Sequence, residues 1–211
     1  MSLFGNSVLA GSAGQGPSAD LGDTIEQSLR FPAGSNAVLN SNSQFQATGG
    51  AFTLSFWVKF GAQELNTSNT LSFLGKMIQF QGNCQLIFGY DRRNGGAIFD
   101  NNGGTNNSPL FRDPSAWYHF LVTDDGTGNS ENTYTVNGSV TWTPGASSRT
   151  ASNQTFSIGY ASGWGEFDGY FADVQFIDGS VQAATEFGRY NEDGVWVPKN
   201  YTGTYGTNGF H

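Results

Sequence analysis

Apolar and polar residues alternate with a period of two along much of this chain. The clearest case is residues 51–60, where Phe52, Leu54, Phe56, Val58 and Phe60 interleave with Thr53, Ser55, Trp57 and Lys59. Successive side chains of a strand point to opposite faces, so the pattern predicts a half-buried strand with one apolar face. Shorter runs at 28–31, 37–39, 70–75, 77–80, 84–90, 97–99, 117–123, 133–136, 140–142, 154–160 and 169–177 predict further strands. Asn137-Gly138 sits between two of them, and both positions of a type I′ turn need positive φ. Residues 181–189 predict one or two helical turns. No helical period separates the strands, so the expected fold class is all-β, an antiparallel β-sandwich or jelly roll rather than a βαβ fold. Residues 1–27 are rich in Gly, Ser and Ala and read as an extended N-terminal arm. The sandwich is expected over 28–187, followed by an extended C-terminal tail, 188–211.

Composition agrees with many short strands joined by turns. Gly contributes 30 of 211 residues and Phe 18, while charged residues make up only 12%. An aromatic content of 15% supplies apolar surface to bury and argues against disorder. Nine basic against seventeen acidic residues give a formal net charge of −8. Phosphate backbones and anionic membranes bind basic surfaces, so neither nucleic acid nor membrane is an expected partner. Cys84 is the single cysteine, which excludes an intrachain disulfide and a thiolate metal cluster; it reads as a small buried strand residue. No apolar run approaches the length of a membrane span. The opening Met-Ser-Leu-Phe-Gly-Asn-Ser-Val-Leu-Ala lacks a basic region and an apolar core, so no secretory signal is expected.

Several strand motifs occur in a recognisable order. They are Ser28-Leu-Arg-Phe31, Phe52-Thr-Leu-Ser-Phe-Trp-Val-Lys59, Trp117-Tyr-His-Phe-Leu-Val122, Tyr134-Thr-Val-Asn-Gly138, Phe156-Ser-Ile-Gly159 and Asp168-Gly-Tyr-Phe-Ala-Asp-Val-Gln-Phe-Ile-Asp178. The succession resembles the laminin-G-like group of the concanavalin-A-like superfamily, over roughly 28–187. The opening Leu-Phe-Gly-Asn-Ser-Val-Leu and the closing run from Gly194 to Phe210 resemble structural proteins of tailed bacteriophages, especially those of cyanobacterial hosts. That likeness implies a non-catalytic, oligomeric particle component.

Candidate chemistry centres on Glu166 and Asp168. Related sandwich glucanases carry two Glu flanking an Asp on one strand, and retaining hydrolysis needs two carboxyl groups about 5 Å apart. Here the second Glu position holds Tyr170 or Phe171. If the strand reaches back to Glu166, then Glu166 and Asp168 share a face with Tyr170, Ala172, Val174 and Phe176, the expected core face. No catalytic residue is therefore assigned. Candidate glycan or interface contacts are Trp57, Tyr90, Arg92, Trp164, Glu166 and Asp168, since aromatic rings stack on sugars while charged groups hold hydroxyls. No cofactor is expected. Calcium is common in the superfamily, and Asp91, Asp100 and Asp124-Asp125 offer oxygen ligands, but turn geometry is a sufficient cause for them. His119 and His211 read as structural.

The leading expectation is a non-catalytic, surface-exposed virion protein of a tailed phage, assembled in the host cytoplasm as a capsid decoration or tail-fibre component. Its partners would be other virion proteins and copies of itself, with arm and tail buried against neighbours. The alternative is a lectin-like module that adheres to host surface glycans. A glycoside hydrolase is the third reading.

Overall fold

The structure is a computed structural model that describes residues 25–32, 35, 37–40, 50–61, 73–81, 87–91, 97–100, 109–126, 133–142, 155–161 and 165–211. For 40, 73–81, 87–91, 97–100, 140–142, 155, 160–161 and 165–166 the backbone alone is described. The expected arm therefore lies outside the described residues up to residue 24, as does Cys84.

The described strands are β1 (Leu29–Phe31), β2 (Leu39–Asn40), β3 (Ala51–Phe60), β4 (Phe73–Gln81), β5 (Ile87–Asp91), β6 (Ala97–Asp100), β7 (Tyr118–Asp125), β8 (Thr133–Val136), β9 (Val140–Trp142) and β10 (Thr155–Ile158). They continue with β11 (Tyr160–Ala161), β12 (Gly165–Glu166), β13 (Gly169–Asp178), β14 (Gly188–Tyr190) and β15 (Trp196–Pro198). A six-stranded sheet runs β1-β13-β3-β7-β8-β9, and a five-stranded sheet runs β2-β10-β4-β5-β6. All pairings are antiparallel. This is the all-β sandwich that the alternation predicts.

The core lies between the sheets. Phe52, Leu54, Phe56, Val58 and Phe60 of β3 meet Phe120 and Val122 of β7, Phe171 and Phe176 of β13, and Phe156 and Ile158 of β10. Aromatic contact is dense, with Phe56 stacked on Phe120 at 5.6 Å and Phe31 edge-on to Phe171 at the same separation. The β8–β9 hairpin turns on Asn137 and Gly138, both at positive φ (47° and 71°). Where two strands are expected over 70–80, the backbone is one strand, β4, whose register slips around Gly75 and Met77. The expected 154–160 strand breaks at Gly159, where φ is +95° and a Cβ would meet the Phe31 ring at 2.2 Å.

Three expectations need correction. β13 begins at Gly169, and Glu166 belongs to the separate strand β12, which pairs with β11. The alternation of β13 is also interrupted. Asp173 sits at φ +49° in a bulge between Ala172 and Gln175. A bulge shifts the facing by one residue, so Phe171 and Phe176 both enter the core while Ala172 packs on the outside. Tyr170 and Ala172 are thus not on the core face. Finally, the helical turns expected over 181–189 reduce to one 3₁₀ turn, Ala184–Glu186.

The C-terminal residues lie on the outer face of the six-stranded sheet. Phe187 packs with Leu121 and Ile177, and Trp196 with Trp57, Trp117 and Ala172. β14 and β15 pair into a short hairpin. Beyond it, the Phe176 and Phe210 backbones exchange N–H···O bonds (2.8 and 3.0 Å), and the Asp178 N–H donates to Tyr205 O at 2.8 Å. Phe210 closes the core against Phe156 and Phe176. The tail expected to grip a neighbour thus packs Trp196, Tyr201, Tyr205 and Phe210 on its own chain, while Tyr190 stays exposed.

Candidate functional site

β1, β13 and β3 place Arg30, Tyr170 and Lys59 in one cross-strand row on the outer face. The Arg30 guanidinium lies 5.1 Å from the Tyr170 ring centroid. It donates to Asp168 Oδ1, to Phe31 O and, at 3.2 Å, to Gly169 O. Asp168 folds across the end of β3, because Gly61 has no Cβ: one placed there would lie 2.0 Å from Asp168 Oδ2. Tyr170 remains 37% exposed with Trp117 behind it at 6.4 Å. An aromatic ring, a cation and a carboxylate therefore share one rigid sheet edge.

Trp57 is not part of that surface. It points outward from β3 as the alternation requires, yet it is 1% exposed. Its ring lies 5.0 Å from His119, and Trp196 of the C-terminal segment belongs to the same cluster. Its candidacy as an exposed contact is overturned, because the tail packs over it. Asp168 is ion-paired with Arg30. The Glu166 backbone pairs with Tyr160, and the Tyr90 backbone pairs with Leu74 and Ile98. Arg92, Trp164 and the side chains of Tyr90 and Glu166 lie outside the described residues. Arg30 and Tyr170 went unassigned in the sequence reading. Their signal was a polar or amphipathic residue alternating with Phe31 and Phe171.

Beneath the tail, His119 is fully buried. The Trp196 indole N–H donates to Nδ1 at 3.1 Å, and Nε2 lies 2.9 Å from Ser55 Oγ. An indole nitrogen only donates, so Nδ1 carries the lone pair and Nε2 the proton. Burial disfavours the imidazolium and lowers the pKa to about 3. Burial also pushes the Tyr205 phenol up, helped by the Asp173 charge. Among the described residues no group of three or more His, Cys, Asp or Glu converges as metal ligands. Asp124 instead accepts from the Gly126 N–H at 2.7 Å, an ordinary turn contact.

Residues 32–185 match the family model Laminin_G_3, and the chain belongs to the concanavalin A-like lectin/glucanases superfamily. No curated protein matches the chain. Among solved structures it is similar to the heptameric SAP-like pentraxin of Limulus polyphemus (13% identity, TM-score 0.46, covering 74% of this chain and 77% of that one). It is also similar to domains LG4-5 of the mouse laminin alpha1 chain (13%, TM-score 0.46, 75% and 45%) and to the botulinum neurotoxin serotype G binding domain (15%, TM-score 0.44, 85% and 49%). The chain thus spans about three quarters of the pentraxin and less than half of the other two.

Proposed function

We propose that this chain is a non-catalytic, surface-exposed structural protein of a tailed-phage virion, acting by assembly with copies of itself and with other virion proteins. The observation that carries the reading is an apolar strip along one edge of the sandwich. β1 and β2 each have a single partner strand among the described residues. They lie at the same edge, since Gly159 at the end of β10 abuts both Phe31 and Ala37. Leu29 (46% exposed), Leu39 (49%) and Val38 sit there in the open. Open strand edges carrying apolar side chains favour contact with another chain. The non-catalytic reading is supported by Asp168, which is held by Arg30, and by Glu166, which lies on a different strand. The phage assignment rests on the likeness of the chain's two ends. Mass spectrometry of banded particles from the encoding phage tests it. The chain is expected at a copy number that is a multiple of the particle symmetry, and its absence from purified particles would contradict the proposal.

A lectin-like role is the second reading, favoured by exposed Tyr170 beside Arg30 and Asp168. Glycan-array binding that falls at least tenfold in Tyr170→Ala would support it; no binding to any glycan would remove it.

A further inference from the structure

The outer face of the six-stranded sheet carries Thr53, Ser55 and Gln175 together with Trp57 and His119, and all five are buried. Hydroxyl and amide side chains are what a solvated sheet face presents. The C-terminal segment covers them instead. Its link to the face centres on the Trp196–His119–Ser55 chain of hydrogen bonds. The indole nitrogens of Trp57 and Trp117, in the same cluster, are buried without a partner among the described residues. They regain water only when the cover lifts, so the closed state keeps two donors unsatisfied.

The segment is tied at both ends. At its start the Gly179 N–H donates to Ala51 O, and Thr53 Oγ1 bonds Ser180 O and the Gln182 N–H. At its finish Phe210 and Tyr205 bond the β13 backbone, Asn208 donates to Asp178, and His211 lies 2.8 Å from Asp173. We propose that residues 187–201 form an acid-released cover: a proton on His119 expels Trp196, and this middle section lifts while the 205–211 clip and the sandwich stay closed.

A proton added at Nδ1 would face an indole N–H that can only donate. The groups facing the ring offer no countercharge: Ser55 and Trp57 from β3, Phe187 and Trp196 from the cover, while Asn137 in the turn after β8 accepts from the His119 backbone N–H. The ionisable residues on those elements are Lys59 of β3, Tyr118, Asp124 and Asp125 of β7, Tyr134 of β8, and Glu186, Arg189, Tyr190, Glu192, Asp193, Lys199 and Tyr201 around the cover. Tyr190 bonds Asn137 O, and Lys199 lies 4.0 Å from Glu186. Burial alone lowers the His119 pKa, to about 3. Lifting the cover returns the ring toward the ordinary value of about 6.5. Closure is therefore strongest above about pH 6.5 and weakens as pH falls toward 3, roughly 10-fold per pH unit.

Hydrogen exchange on the full chain, corrected for intrinsic rates, tests this at pH 7 and pH 4.5. Protection of the Asn191 and Lys199 amides should fall roughly 100-fold at pH 4.5, while Phe176, Phe210, β3 and β7 keep theirs. His119→Gln retains one acceptor and one donor but cannot charge, so its protection should not change with pH. Should that variant fail to fold, Trp196→Phe decides: the cover amides should already exchange faster at pH 7 with β3 protected. Unchanged protection in the wild type at pH 4.5, simultaneous loss in β3 and β7, persisting pH dependence in His119→Gln, or wild-type protection in Trp196→Phe would each overturn the proposal.

Discussion

Gly138 and Gly194 both sit at positive φ in turns, +71° and +74°, but in different surroundings. A Cβ on Gly138 would lie 2.3 Å from the Trp196 ring, whereas one on Gly194 would meet nothing within 4 Å. Left-handed backbone alone costs alanine about 1 kcal/mol. Gly194→Ala should lose about that much. Gly138→Ala must also displace Trp196 from the His119 contact, which brings its total to about 3 kcal/mol with the lost buried hydrogen bond. Thermal denaturation checks the pair: a domain of this size should melt about 3 °C lower for Gly194→Ala and about 10 °C lower for Gly138→Ala. Equal shifts would mean that Trp196 does not rest on the hairpin turn. The same contact explains why Trp57 is buried although β3 turns it outward. Its outward direction follows from β3 alone, but its cover comes from a residue 139 positions later.

Elements differ in how far local pattern determines them. β3 and the β8–β9 hairpin have the bounds that alternation and the Asn-Gly turn predict. Both signals are contained in a few adjacent residues. β13 has an equally strong apolar pattern, but the core facing expected for Tyr170, Ala172, Val174 and Phe176 holds only past the bulge, for Val174 and Phe176. The bulge at Asp173 has no signature in composition, and past it every side chain changes face. The Arg30–Asp168–Tyr170 cluster was half visible, since Asp168 was a candidate and its partner was not. Arg30 meets it only because β1 pairs with β13 across 138 residues. The C-terminal segment shows the limit most plainly. Tyr201, Tyr205 and Phe210 look like a loose aromatic tail in sequence, and Phe210 becomes part of the core by pairing with Phe176.

At the scale of the whole molecule, the concanavalin A-like sandwich has, among the described residues, an apolar edge at β1 and β2 and an outer face covered by its own chain. The C-terminal residues stand where a neighbour was expected, so the proposed assembly would use other surface. Leu29, Val38 and Leu39 offer it at the β1–β2 edge. The formal net charge of −8 opposes unspecific clustering of copies, which favours a specific apolar contact over general adhesion. Light scattering coupled to size exclusion, on the wild type and on Leu29→Glu/Leu39→Glu, tests this most directly. The account predicts a discrete oligomer for the wild type that grows with concentration, and a folded 22.6 kDa monomer for the double variant. A wild type that stays monomeric at every concentration, or a double variant that assembles equally well, would contradict it.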